Sequence, residues 1–252
     1  MSSWVFAGLL GLLAGGALVL GAVVTLLVEL PHRVIAAVMA FGSGVLVSVL
    51  GTELMEESVK IGGLGPTLSG FAAGAAIFSG ANWLLSKRGA EHRNRCGDCV
   101  EQPKESAVPG SGLAIALGAL LDGIPESLIV GLGVDDGKAK FAVIAGFFIA
   151  NLPQGLSSAS GMKQAGRGAV YILSIWAGIA LISGLAAGIG NITLGGAPPE
   201  VAAIIKAFAA GAVLAMLAET MIPEAFEKAQ SFIGAITGAG FFTAFLLSKA
   251  LP

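Results

Sequence analysis

Residues 111–133 read SGLAIALGALLDGIPESLIVGLG. The run is long enough to cross a hydrocarbon core, which takes about 20 apolar residues in a helix, yet it carries Asp122 and Glu126 near its middle with Pro125 between them. Their i, i+4 spacing puts both carboxylates on one helix face. Pro125 has no N–H to give, so the carbonyl four residues back, that of Leu121, loses its helical partner. Ionisable groups at such a depth are costly and usually face a cavity that serves a substrate or an ion. The competing reading, a snorkelling or purely structural carboxylate, fits poorly with two acids on one face in mid-span. Carboxylates and a freed backbone oxygen at one level describe an oxygen-lined cation site.

Seven further apolar runs accompany this one, giving eight in all near 4–28, 33–55, 64–86, 111–133, 140–162, 169–190, 199–222 and 231–250. Short loops join them, apart from the polar stretch Lys87–Gly110. Composition agrees: 55% of the 252 residues are hydrophobic and 12% are charged, where a soluble domain has about 25% charged residues. The 38 glycines suit helices packed closely in lipid, where small residues let backbones approach. The fold expected is all-α, a single polytopic membrane domain over residues 1–252. The first run lacks Lys or Arg before Arg33 and is too long for a secretory signal, so it is read as a retained span. A formal charge of −2 leaves no basic surface for nucleic acid.

The side of each loop follows from its Lys and Arg content. Loops after spans 1, 3, 5 and 7 hold nine: Arg33, Lys87, Arg88, Arg93, Arg95, Lys104, Lys163, Arg167 and Lys228. The other side holds five: Lys60, Lys138, Lys140, Lys206 and Lys249. The 87–110 loop is therefore expected in the cytoplasm and both termini outside, in the inner membrane of a prokaryote.

The chain also echoes itself. AFGSGVLVSVLGTELMEE from Ala40 matches AFAAGAVLAMLAETMIPE from Ala207 at an offset of 167, pairing Phe41 with Phe208, Gly44 with Gly211 and Glu57 with Glu224. LLSK ends both spans 3 and 8, and DGIPES in span 4 is echoed by ANLPQG in span 5. Since spans 2 and 7 run in opposite directions, the arrangement expected is a 3+2+3 inverted repeat, a common plan of transporters. In span 5, Pro153 frees the carbonyl of Ile149, and Asn151 and Gln154 can turn amide oxygens inward.

At these residues the chain resembles the ZIP family of divalent metal-ion transporters, whose fourth span carries His-Asn-x-Pro-Glu and whose fifth carries a related x-x-x-Pro-Glu motif. The resemblance covers nearly the whole chain. It includes the span-2 segment FGSGVLVSVLGTELMEES, both proline motifs, the span-7 segment ending ETMIPEA, and the long polar loop. It implies a metal site between spans 4 and 5 made by Asp122, Glu126, Asn151 and Gln154, and movement of metal toward the cytoplasm. It further implies a transport bundle of spans 1, 4, 5 and 6 against a dimerising scaffold of spans 2, 3, 7 and 8. Glu53, Glu57, Glu219 and Glu224 become candidate pathway residues, with Glu219 resembling part of the family's exit route.

Several positions depart from the family pattern. Asp122 stands where the family has His, Gly123 where it has Asn, Ala150 has lost a ligand, Gln154 replaces a glutamate and Glu53 replaces a typical His. Gln154 reads either as a native ligand or as an introduced replacement of glutamate. Both histidines, His32 and His92, fall in loops. An all-oxygen site favours harder ions such as Mn²⁺ or Mg²⁺, whereas the resemblance implies zinc first, with iron, manganese, cobalt and cadmium as alternatives. The reduced negative charge argues for one metal per site. The altered ligands also leave room for a non-transporting relative that binds metal as a sensor.

His92, Cys96 and Cys99 form H-x3-C-x2-C in the polar loop, three soft ligands that need a fourth to close a zinc site. A transient acceptor site and an exposed loop are the two readings, and a cytoplasmic location argues against a disulfide. Trp4, Trp83, Trp176 and Tyr171 are expected to anchor span ends at the interface. No H-E-x-x-H or Gly-x-Ser-x-Gly pattern occurs, so a membrane-embedded hydrolase finds no support.

Overall fold

A computed structural model describes residues 2–87, 111–135, 138–139, 141–228 and 232–250. Among them, eight helical segments are long and apolar enough to cross a membrane. Span 1 is α1 (Ser3–Leu27). Span 2 is built of α2 (His32–Val49), a π-helical segment π1 (Leu50–Met55) and α3 (Glu56–Gly62). Spans 3 to 6 are α4 (Leu64–Leu85), α5 (Ser111–Leu132), α6 (Phe141–Gln164) and α7 (Ala169–Leu194). Span 7 consists of α8 (Pro199–Met216), π2 (Leu217–Met221) and α9 (Ile222–Lys228), and span 8 is α10 (Ile233–Ala250). The two-residue strands β1 (Val134–Asp135) and β2 (Lys138–Ala139) pair antiparallel after α5.

Spans 2 and 7 run further than the apolar pattern indicates, to Gly62 and Lys228. Charge at a helix end need not stop it: Lys60 donates to Glu56 one turn earlier at 2.6 Å, a pairing that supports the helix. The break between spans 2 and 3 falls at Gly63, whose φ of 77° is left-handed backbone that glycine adopts without strain. Pro125 and Pro153 both lie inside continuous helices.

Glycines set the closest helix approaches. A Cβ at Gly21 would run into the carbonyl of Leu152, and one at Gly155 into that of Leu18, so the backbones of α1 and α6 touch. The carbonyl of Phe41 lies against Gly240 and that of Thr237 against Gly44, which joins α2 to α10. In the same way the carbonyl of Phe208 meets Gly74 and that of Phe71 meets Gly211, joining α8 to α4. The π segments begin at Leu50 and Leu217, residues separated by the sequence offset of 167.

One buried cluster is drawn wholly from α1, α5, α6 and α7, with Leu18, Ile115, Met162, Ile172, Trp176 and Ile179 among its members. Trp176 therefore corrects the interfacial expectation. It lies two turns into α7 on the face turned to the bundle, and it is 1% exposed. Trp4, Trp83 and Tyr171 are exposed, and the ammonium of Lys87 sits over the Trp83 ring at 3.5 Å. Leu181, Leu185, Ile189 and Ile192 leave an apolar stripe exposed along α7, as a lipid-facing helix requires.

Lys206 brings a charge into span 7. Grouped with the outer-side basic residues in the sequence, it lies within α8, nearly buried, and pairs with Glu57 of α3 at 2.9 Å. Aliphatic stem and ion pair together let it stay in a helix packed against its neighbours.

Candidate metal centre

Asp122 and Glu126 are carried by α5, one turn apart, and are 2% and 3% exposed. Asn151 and Gln154 of α6 are also buried. Glu126 and Asn151 line one small cavity, together with Gly123 and Ser127 of α5, Ser183 of α7, and Gly11, Ala14 and Gly15 of α1. The cavity is small, about 10 Å³, room for one water or one ion.

Two polar side chains beside Glu126 also bond to backbone carbonyls. Asn151 lies within reach of it, but its Nδ2 donates to the carbonyl of Ala14 at 3.2 Å. Ser127 donates its hydroxyl to the Gly123 carbonyl at 2.7 Å. Among the described residues, neither buried Glu126 oxygen meets the geometry of a hydrogen bond. A buried charged carboxylate without a partner is costly, and a cation in the adjoining cavity would relieve that cost. One of the two Asn151 N–H groups is taken by the Ala14 carbonyl of α1, and the amide oxygen is a group that can serve as a ligand. The Ser127 and Ser183 oxygens offer the same hard chemistry.

The four sequence candidates do not all meet. Asp122 and Gln154 are buried but are not part of the cavity's lining. Gln154 Nε2 instead donates to the sulfur of Met221, 3.5 Å away in π2. Among the described residues no three His, Cys, Asp or Glu side chains converge as a metal-holding group. His92, Cys96 and Cys99 lie outside the described residues.

The pathway candidates are dispersed as well. Glu53 sits in π1, partly buried, and Glu57 is paired with Lys206. Glu219, in π2, accepts from the hydroxyl of Ser79 and from Asn82 Nδ2, the latter at 2.7 Å. Glu224 is buried in α9. None of the four lines the Glu126 cavity.

Sequence reasoning missed the wall supplied by α1 and α7. Its only signal is the small-residue spacing of Gly11, Gly15 and Ser183, which glycine-rich membrane helices share widely. It also missed Asn191 of α7, whose Nδ2 donates to the carbonyls of Gly131 at 3.0 Å and Val134 at 2.9 Å. That clamp fixes the end of α5, the helix carrying Glu126, to α7.

No protein-family model matches the chain. The chain is similar to the zinc transporter ZupT of Escherichia fergusonii, with 26% identity over 227 residues, covering 87% of this chain and 86% of that protein. With the ordered proline motifs of spans 4 and 5 set among eight apolar helices, this nearly full-length similarity supports the assignment of the chain to the ZIP family.

Proposed function

We propose that the protein carries divalent metal cations across the membrane toward the cytoplasm, with zinc as the leading cargo and iron, manganese, cobalt and cadmium as further candidates. The observation that carries this reading is Glu126, whose two buried oxygens have no hydrogen bond among the described residues and lie beside a cavity sized for one ion. Asp122, Asn151 and Gln154 complete the central site as the cargo and the helices rearrange. The similarity to a zinc transporter supports the cargo class.

Spans 1, 4, 5 and 6 act as the moving bundle, and spans 2, 3, 7 and 8 as a scaffold that pairs with a second copy. The cluster around Trp176, formed only from the first group, supports this division. So do the glycine contacts that join α2 to α10 and α4 to α8. Those contacts and the two π segments 167 residues apart support the 3+2+3 inverted repeat. With Lys206 inside the scaffold, nine basic residues on the odd-loop side stand against four on the other, Lys60, Lys138, Lys140 and Lys249. This bias supports external termini and a cytoplasmic 87–110 loop.

A non-transporting metal sensor is the second reading, favoured by the contact of Gln154 with Met221 rather than with the Glu126 cavity. Uptake of Zn²⁺, Mn²⁺, Fe²⁺ and Co²⁺ into proteoliposomes separates the two. The transporter reading predicts saturable uptake of at least one ion, and metal binding without uptake would favour the sensor.

A further inference from the structure

Where α1 ends at Leu27, α2 begins at His32 and α6 ends at Gln164, three helix termini reach one membrane face. A cavity of about 380 Å³ opens among them, within the range of small-molecule sites, about 300–1,000 Å³. Its polar wall consists of Thr25, Glu29, Ser160, Lys163 and Gln164. It is separate from the Glu126 cavity, with which it shares no lining residue.

Thr25 and Ser160 are buried. The Thr25 hydroxyl donates to the Leu156 carbonyl at 3.0 Å, binding α1 to α6. Among the described residues Lys163 donates to the Thr25 carbonyl at a long 3.4 Å, which leaves two of the three ammonium N–H groups for an anion. Among the described residues Glu29 and Lys163 form no salt bridge with each other, although both line the cavity. An ammonium and a carboxylate that line one pocket without pairing to each other match a ligand that is itself zwitterionic. The depth is that of lipid head groups, since the spans end there. Val24, Leu27 and Val28 leave apolar surface exposed on α1 beside the mouth, where acyl chains would lie.

We propose that this cavity binds the phosphoethanolamine head group of a membrane phospholipid, its phosphate held by Lys163 and Ser160 and its ammonium by Glu29. The lipid then touches α1 and α6 on one side and α2, through Ile35, on the other. Because both elements contact it, bound lipid favours the arrangement of α1 and α6 against α2 seen in this structure. The proposal depends on the membrane location of the chain and not on which cargo it carries.

Thermal unfolding of the full chain, stripped of lipid in a neutral detergent, provides the test. Phosphatidylethanolamine should raise Tm by about 5 °C near saturation. Phosphatidylcholine, whose quaternary ammonium has no N–H for Glu29, and phosphatidylglycerol, which has no ammonium, should give markedly smaller shifts. Glu29→Gln and Lys163→Gln should each abolish the ethanolamine preference while keeping the Tm of the lipid-free protein. Equal shifts with all three lipids overturn the proposal. So does an equal shift with soluble phosphoethanolamine, which would make the ligand a free zwitterion. Native mass spectrometry of the unmutated chain with equimolar lipids decides independently of how the variants fold: preferential retention of the ethanolamine lipid supports the site, and indifferent retention refutes it.

Discussion

Gln154 of α6 donates its amide N–H to the sulfur of Met221 in π2, 3.5 Å away, and both residues are buried. The contact ties the proline motif of span 5 to the π segment of span 7. A carboxylate at position 154 would lose that donor and sit against a thioether, a weak acceptor with nothing to offer an anion.

Gln154→Glu should therefore lower the Tm of the metal-free protein and increase the stabilisation given by Zn²⁺, because the added carboxylate gains a partner only when a cation enters. Thermal unfolding in detergent with and without Zn²⁺ measures both effects. An unchanged metal increment would separate position 154 from the metal site.

The Lys206–Glu57 pair joins α8 to α3 with side chains 10% and 27% exposed. Breaking a buried pair from one side costs roughly 3–5 kcal/mol, and partial exposure reduces this to about 1–3 kcal/mol. Lys206→Met should lower stability by that amount, and the double change with Glu57→Gln should recover most of it. A double-mutant cycle in denaturant checks the coupling.

Gly74 and Gly80 both belong to α4 but differ in surroundings. A Cβ at Gly74 meets the Phe208 carbonyl of α8, whereas one at Gly80 meets nothing within 4 Å. Gly74→Ala should destabilise by about 1–3 kcal/mol through overpacking, and Gly80→Ala should be neutral or stabilising by up to about 1 kcal/mol. Equal Tm values for the two variants would contradict the close α4–α8 approach.

The eight spans were legible because about 20 apolar residues in a row have few other uses. Their ends were less so. Glu56, Glu57 and Lys60 look like a loop in sequence, yet they continue the helix by pairing with one another or with Lys206. Nearness to a span end points Trp176 to the interface, but it does not tell which face of the helix packs inward. In the candidate site, Asp122 and Glu126 announce themselves as acids in mid-span. Ser183, Asn191 and Met221 are ordinary residues for membrane helices, and their roles arise from tertiary contacts between distant spans.

Glu126→Ala gives the most direct measurement. Zn²⁺ binding by titration calorimetry and Zn²⁺ uptake into proteoliposomes should be compared for this variant and the unmodified chain, both monodisperse in detergent. Removing the carboxylate beside the one-ion cavity should weaken binding at least about 100-fold, worth about 2.7 kcal/mol, and abolish uptake. Affinity and uptake equal to those of the unmodified chain would place the metal route elsewhere.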